Sequence, residues 1–220
     1  MPGVLVLRLQ SEGKYFCSGY DINRMGQART VNFEDVVNSL EDTRPVTVAV
    51  MQGSVYGGGT DFALACDFRI GVHGMEMFMP AARLGLHFYR RGLERYCTRL
   101  GLDNAKRLFL TAETARAERM LAMGFLTDLV EPDALATTAD TLCATVAAMA
   151  PLAVIGMKKH LNRIARGTLD VTELDEDIAR AVSSEDLKEG AKAWAEKGSR
   201  VSCIAGAFIG GRRGRDRGGP

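Results

Sequence analysis

Apolar positions in this chain follow two patterns: short unbroken runs in the first third, and stripes of helical period after it. Val4–Leu9 and Val46–Met51 are nearly continuous apolar runs of strand length, the second β-branched and opened by Pro45, and both predict buried strands. Phe33–Leu40 has the i, i+3, i+4 spacing of a short helix. Asp61–Cys66 predicts another, followed by short strands at Phe68–Val72 and Met75–Met79 around a turn at His73–Gly74. Ser11–Ser18 and Gln52–Thr60 read as turn-rich loops. Helices then dominate. Leu93–Leu100 and Asn104–Leu110 come first, then a helix capped by Thr114 and closed at Gly124. A strand at Phe125–Val130 precedes an Ala-rich helix from Pro132 to about Ala150. Leu152–Ala165, Thr172–Ser183 (with a capping box of Thr172 and Asp175) and Glu185–Lys197 complete the series. Strands early and helices late predict an α/β architecture, and no repeat of 20–50 residues stands out.

Composition narrows the picture. The 220 residues are 46% hydrophobic and 25% charged, the balance of a soluble globular chain with one large domain. No uninterrupted apolar run approaches the roughly 18 residues of a membrane span. Net charge is +1, but the last ten residues alone carry four Arg against one Asp, so the body has no basic bias and nucleic acid is not expected as a partner. Residues 198–220, rich in Gly and Arg, predict a disordered tail after a domain spanning 1–197. The five cysteines are odd in number, widely spaced and without a C-x-x-C pair. With no secretory signal visible at the start, this predicts reduced thiols and a cytoplasmic location.

The candidate chemistry lies in two loops. His73, His87 and His160 stand far apart, without metal-ligand spacing, and neither a P-loop nor the dinucleotide glycine pattern is present. One loop is Phe16-Cys17-Ser18-Gly19-Tyr20-Asp21-Ile22. The other is Gln52-Gly53-Ser54-Val55-Tyr56-Gly57-Gly58-Gly59-Thr60-Asp61, joining a buried strand to a helix. A glycine triplet at a helix start lets the backbone approach a ligand and aims N–H groups at it, and the helix dipole adds positive potential. Such a place suits an anion or a developing oxyanion. Each feature alone reads equally as a tight turn, or as an Asp favouring a helix N-terminus.

Together, in this order and spacing, the two loops resemble the enoyl-CoA hydratase/isomerase (crotonase) superfamily. The resemblance extends from about Val4 to Lys197. It rests on F-C-S-G-Y-D-I, on P-V-T-V-A-V-M-Q-G-S-V-Y-G-G-G-T-D-F-A-L-A-C-D-F-R-I, on M-P-A-A-R-L-G-L and on T-A-R-A-E-R-M-L-A-M-G-F-L-T-D-L-V. It implies a crotonase (ClpP/crotonase-like) fold, a stacked ββα core with a C-terminal helical region. It also implies that a further N-terminal strand, helix and part of the CoA-binding wall belong to the family domain. By position, the Ser18 and Gly58 amides would hold an acyl-CoA thioester oxygen, a contribution of about 2.7–4 kcal/mol per donor in the transition state. Substrate binding would involve Cys17, Ser18, Gly19, Tyr20, Asp21, Ile22, Gly57 and Gly58. No cofactor is implied beyond the coenzyme A of the substrate.

One departure bears on the reaction. Hydratases of this family carry two carboxylates; Asp61 holds the first place, and the second falls on Ala81. Asp61 is then the main acid/base, with His87 and Tyr89 as candidates for the second proton transfer. The expected activity is that of an enoyl-CoA hydratase or isomerase, and the alternatives are a decarboxylase of a malonyl-type CoA and a non-catalytic CoA-binding or RNA-associated subunit. The resemblance further implies a homo-oligomer, trimer or hexamer.

Overall fold

The computed structural model describes residues 3–20, 31–192 and 194–196. Asp21, Ile22 and the segment 198–220, all named above, lie outside these residues. The first six strands alternate between two sheets as the chain advances. β1 (Val6–Gln10), β3 (Val46–Met51), β5 (Phe68–Val72) and β8 (Asp128–Val130) form one four-stranded sheet in that order, parallel throughout. β2 (Tyr15–Cys17), β4 (Ser54–Tyr56) and β6 (Glu76–Phe78) form the second, in parallel, with β7 (Ala115–Arg116) antiparallel at its edge. After each of the first two such pairs comes a helix, α1 (Phe33–Glu41) and then α2 (Gly58–Leu64). This is the stacked ββα arrangement.

All six residues of β3 are buried, as its unbroken apolar run requires of a strand covered on both faces. Around it packs a core that includes Met51, Leu64, Ile70, Met77, Tyr96 and Phe125. Each such side chain contributes roughly 1.5–3 kcal/mol on burial. The step from β3 to β4 needs a glycine: a Cβ on Gly53 would stand 2.1 Å from the Lys14 carbonyl oxygen, so only a bare backbone can bring β4 beside β2.

The helical half begins with a short 3₁₀ turn at Ala81–Leu84, then α3 (Arg90–Leu100) and α4 (Leu102–Thr111). α5 (Ala117–Ala122), α6 (Leu135–Ala147), α7 (Pro151–Ala165) and α8 (Val171–Val182) follow, with a further helix at 185–192. No single helix among the described residues is long and apolar enough to cross a membrane.

Several sequence expectations need correction. The two loops each contain a three-residue strand, β2 and β4, too short to show a period. Thr114 does not cap α5; Ala115 and Arg116 stay extended to pair with Met77 and Glu76, and the helix starts at Ala117. The predicted strand at Phe125–Val130 shrinks to Asp128–Val130, because the Phe125 and Leu126 amides turn back to the Met120 carbonyl. Pro132 opens a 3₁₀ turn, and α6 itself begins at Leu135. α8 is capped by Asp170, whose carboxylate accepts from the Glu173 amide at 3.1 Å, and not by Thr172.

Candidate active site

Two backbone turns build one wall of a cavity. Beyond β2 the chain passes through Ser18 into Gly19, at φ 100°, where a Cβ would approach the Tyr56 carbonyl oxygen to 3.1 Å. The first loop therefore lies directly against the end of β4. There Gly57, at φ 53°, turns the chain into α2 while its amide donates to the Phe78 carbonyl at 3.0 Å. Thr60 fixes this turn from within: its amide and hydroxyl both donate to the Gly57 carbonyl, at 3.0 and 2.6 Å. Gly58 is the first residue of α2, so its amide has no acceptor within the helix, and Ser18 follows directly on the end of β2. Both residues line the cavity.

That cavity measures about 470 Å³. Its far walls come from Phe33 at the start of α1, from Phe78–Ala81, and from Leu84, Leu86, His87, Phe88 and Tyr89. Among the described residues, six aromatic side chains line it: Tyr20, Phe33, Tyr56, Phe78, Phe88 and Tyr89. Phe33 stands edge-on between Tyr20 and Tyr89, with centroids 6.1 and 6.4 Å away. Behind Tyr89, Phe88 stacks on it at 4.7 Å and is itself held against Tyr96 and Phe109. No Asp, Glu, Lys or Arg lines the cavity among the described residues. Ala81, where the resemblance places a hydratase's second carboxylate, is among the lining residues.

Asp61 is placed differently from expectation. It does not line the cavity; its side chain is fully buried on α2, with Oδ1 accepting from Arg95 at 2.7 Å and Oδ2 accepting from the Tyr89 hydroxyl. The cause is its position one turn into a helix that faces α3. Arg95 in turn donates to Glu41 at 2.9 and 3.2 Å, and Glu41 and Asp42 at the end of α1 also receive Arg91 and Arg166. Burial pushes the Asp61 carboxyl above the ordinary carboxylate range, against the opposing pull of Arg95 and the Tyr89 phenol. Burial acts the same way on Glu41, but the hydrogen bonds and charge of Arg95 and Arg91 outweigh it and hold this carboxyl low. Burial disfavours the Arg95 charge, yet two carboxylates more than offset that and keep it a cation. Tyr89 is pushed upward by burial and by the Asp61 carboxylate, so its phenol keeps its proton.

His87 sits exposed at the rim, its Nδ1 donating to the Phe88 carbonyl at 2.8 Å. Ser18, Gly19, Tyr20, Gly57, Gly58, His87 and Tyr89 all line this one cavity. Cys17 is a correction: it is absent from the lining and packs behind the glycines, where a Cβ on Gly59 would stand 2.7 Å from its sulfur. Sequence reasoning missed Phe33, Phe88 and Arg95. Phe33 had one signal, its place just after Asn32, whose side chain caps α1.

Two sheets whose strands alternate in sequence, with a helix after each of the first two pairs, define the crotonase fold. The chain belongs to the enoyl-CoA hydratase/isomerase family, whose model matches residues 2–201. It is 30% identical over 204 residues to the short-chain-enoyl-CoA hydratase of Clostridium acetobutylicum, covering 88% of this chain and 78% of that protein. Methylmalonyl-CoA decarboxylase of Escherichia coli is 27% identical, over the same shares of the two chains. Among solved structures, DspI of Pseudomonas aeruginosa superposes with a TM-score of 0.79 at 30% identity, covering 90% of this chain and 79% of that one.

Proposed function

We propose that this protein binds an acyl-CoA thioester and converts it through an enolate, as an enoyl-CoA hydratase or isomerase. The observation that carries this reading is the Ser18 and Gly58 amide pair beside a cavity of about 470 Å³ with apolar walls. Two N–H donors fixed by β2, β4 and Thr60 stabilise a thioester oxygen as negative charge builds on it, without reorganising. The apolar walls accept an acyl chain and exclude water, which strengthens those hydrogen bonds. A clostridial relative named as a short-chain-enoyl-CoA hydratase supports the same reading. The test is incubation with a panel of acyl-CoA thioesters, with products read by mass. Hydrated or isomerised enoyl-CoA supports the reading; a panel that binds and returns unchanged refutes it.

Decarboxylation is the second reading. Its favouring observation is that the described residues lining the cavity include no carboxylate, since loss of CO₂ leaves an enolate without a base to form it. Loss of 44 mass units from a malonyl-type thioester in the same panel would select it. The free thiols of Cys17, Cys66, Cys97 and Cys143 support a reducing, cytoplasmic setting. Exposed Met157, Leu161 and Ile164 on α7, with Ile178 and Val182 on α8, support association of copies into a trimer or hexamer. Light scattering in solution checks that assembly.

A further inference from the structure

The enolate reading leaves open which group moves the proton, and the inference below rests on that reading. The first carboxylate of the family pattern is out of reach: Asp61 has no exposed side-chain surface, and both of its oxygens are engaged. Nothing among the described lining residues replaces it as a carboxylate. One lining residue does touch Asp61. Tyr89 is half-buried, presents its ring to the cavity and donates its hydroxyl hydrogen to Asp61 Oδ2. The phenol oxygen therefore has its own proton committed to a carboxylate and its lone pairs available as an acceptor.

We propose that Tyr89 is the catalytic residue that exchanges protons with the acyl chain, and that Asp61 is a positioning residue acting only through it. In the forward step the phenol oxygen takes a proton from the α-carbon (or the γ-carbon of an enoyl chain). As it does so, its own proton moves to Asp61 Oδ2. The electron pair left by the C–H bond passes into the thioester, and the oxygen becomes an oxyanion held by the Ser18 and Gly58 amides. Reversal at the other carbon returns the proton through Tyr89, restores the Asp61 carboxylate and leaves only a shifted double bond. Atoms and charge balance without a second acid.

The surroundings suit this relay. Tyr89 is held in place by Phe88 on one side and Phe33 on the other, so the hydroxyl has one position. Arg95 fixes Asp61 from the opposite oxygen, leaving Oδ2 to the phenol. Burial raises the Asp61 carboxyl, which makes it a better resting place for the proton than an exposed carboxylate. A tyrosine without such a partner would have to ionise fully, which this environment opposes.

The test is exchange of the α-hydrogens of butyryl-CoA with D₂O, followed by NMR, alongside calorimetric binding of the same thioester. It reads proton abstraction whatever net reaction the protein performs. The unaltered protein should exchange. Tyr89→Phe and Asp61→Asn should each slow exchange by about 10²- to 10⁴-fold while binding holds. The double variant should fall no more than a few-fold below either one, because the two act as a unit. The unaltered protein should also lose exchange as pH falls through the raised Asp61 value, a limb absent from Asp61→Asn. 3-Fluorotyrosine at position 89 keeps the ring and the hydrogen bond, so it tests the phenol even where Asp61→Asn fails to fold; it should change the exchange rate. Exchange that survives Tyr89→Phe, losses that simply multiply, or indifference to the fluorine would overturn the relay and leave the enolate reading standing. Binding without any exchange in the unaltered protein would overturn both.

Discussion

The two sides of the cavity are built on different principles. The amide side is backbone: Ser18 after β2, and Gly57–Gly58 between β4 and α2, fixed by sheet pairing and by the Thr60 hydrogen bonds to Gly57. The other side, proposed above to move the proton, is a chain of side chains, Tyr89 to Asp61 to Arg95 to Glu41, drawn from α3 and its approach, from α2 and from α1. Backbone donors cannot titrate and are removed only by changing the main chain. A buried ionic chain is specific but exposed to loss of any one member, since its desolvation cost is offset only while each charge has a partner. The amide side should therefore be sensitive in rate alone, and the ionic side in rate and stability together.

The sharpest contrast comes from Arg95. Its guanidinium is buried between Asp61 and Glu41, with 1% of its side chain exposed. Arg95→Leu leaves Asp61 without a cation, while Glu41 keeps Arg91 and Arg166, and should cost about 3–5 kcal/mol, the usual loss when one partner of a buried pair is removed. Chemical denaturation measures it; a cost under about 1 kcal/mol would mean the chain of side chains is not a unit. Gly58→Pro acts on the other side. It deletes one amide donor at the first position of α2, where a helix tolerates proline, and should lower kcat by about 10²- to 10³-fold. Its ring would press on Phe33, whose Cζ lies 2.9 Å from a Cβ placed there, so a circular dichroism melt must accompany the kinetics.

Restoring a carboxylate at the wall sharpens the comparison further. Ala81 lines the cavity, so Ala81→Glu gives water a second proton-transfer partner. It should raise crotonyl-CoA hydration several-fold and leave isomerisation unchanged or slower. Steady-state kinetics on both substrates will show whether the two rates separate.

The smallest expected effect is in the pH dependence of stability. Glu41 is held below the value of 4.5 it has when free, so its stabilisation is complete above that value and drains away as pH falls through its folded one. Asp61 is shifted upward from 3.8, so it works in the opposite sense: between its two values the folded state holds a proton the unfolded state has lost, and stability falls as pH rises there. Melting temperature should drop on acidification below about pH 4.5 in the unaltered protein. That slope should flatten in Glu41→Gln and steepen in Asp61→Asn.

The same contrast explains what the sequence revealed. Gly57, Gly58 and Gly59 sit together in the chain because one turn needs them, and the loop at Ser18 carries its own glycine, so the amide side is local and legible. β3 is legible for a similar reason, being apolar throughout. β2 and β4 were hidden because three residues cannot display an alternation, and the ββα units recur at unequal intervals that mask any period. The ionic side joins residues 34 and 54 positions apart, through helix faces that only tertiary packing aligns. Asp61 could be picked out by its place after the glycines, but nothing in the sequence told that α3 would cover it. Cys17 was misjudged for the same reason: neighbours in sequence alternate faces along a strand end, and Ser18 faces the cavity while Cys17 packs behind the glycines.

The central claim is that the Ser18 and Gly58 amides hold the thioester oxygen. Isotope-edited infrared spectroscopy tests it directly, using a non-reacting acyl-CoA labelled with ¹³C at the thioester carbonyl. Two hydrogen bonds to that oxygen weaken the C=O bond, so the account predicts a carbonyl stretch clearly lower in the complex than in water, and a partial return toward the free value in Gly58→Pro. A bound thioester whose carbonyl stretch matches that of the free ligand in water, or rises above it, would contradict the account.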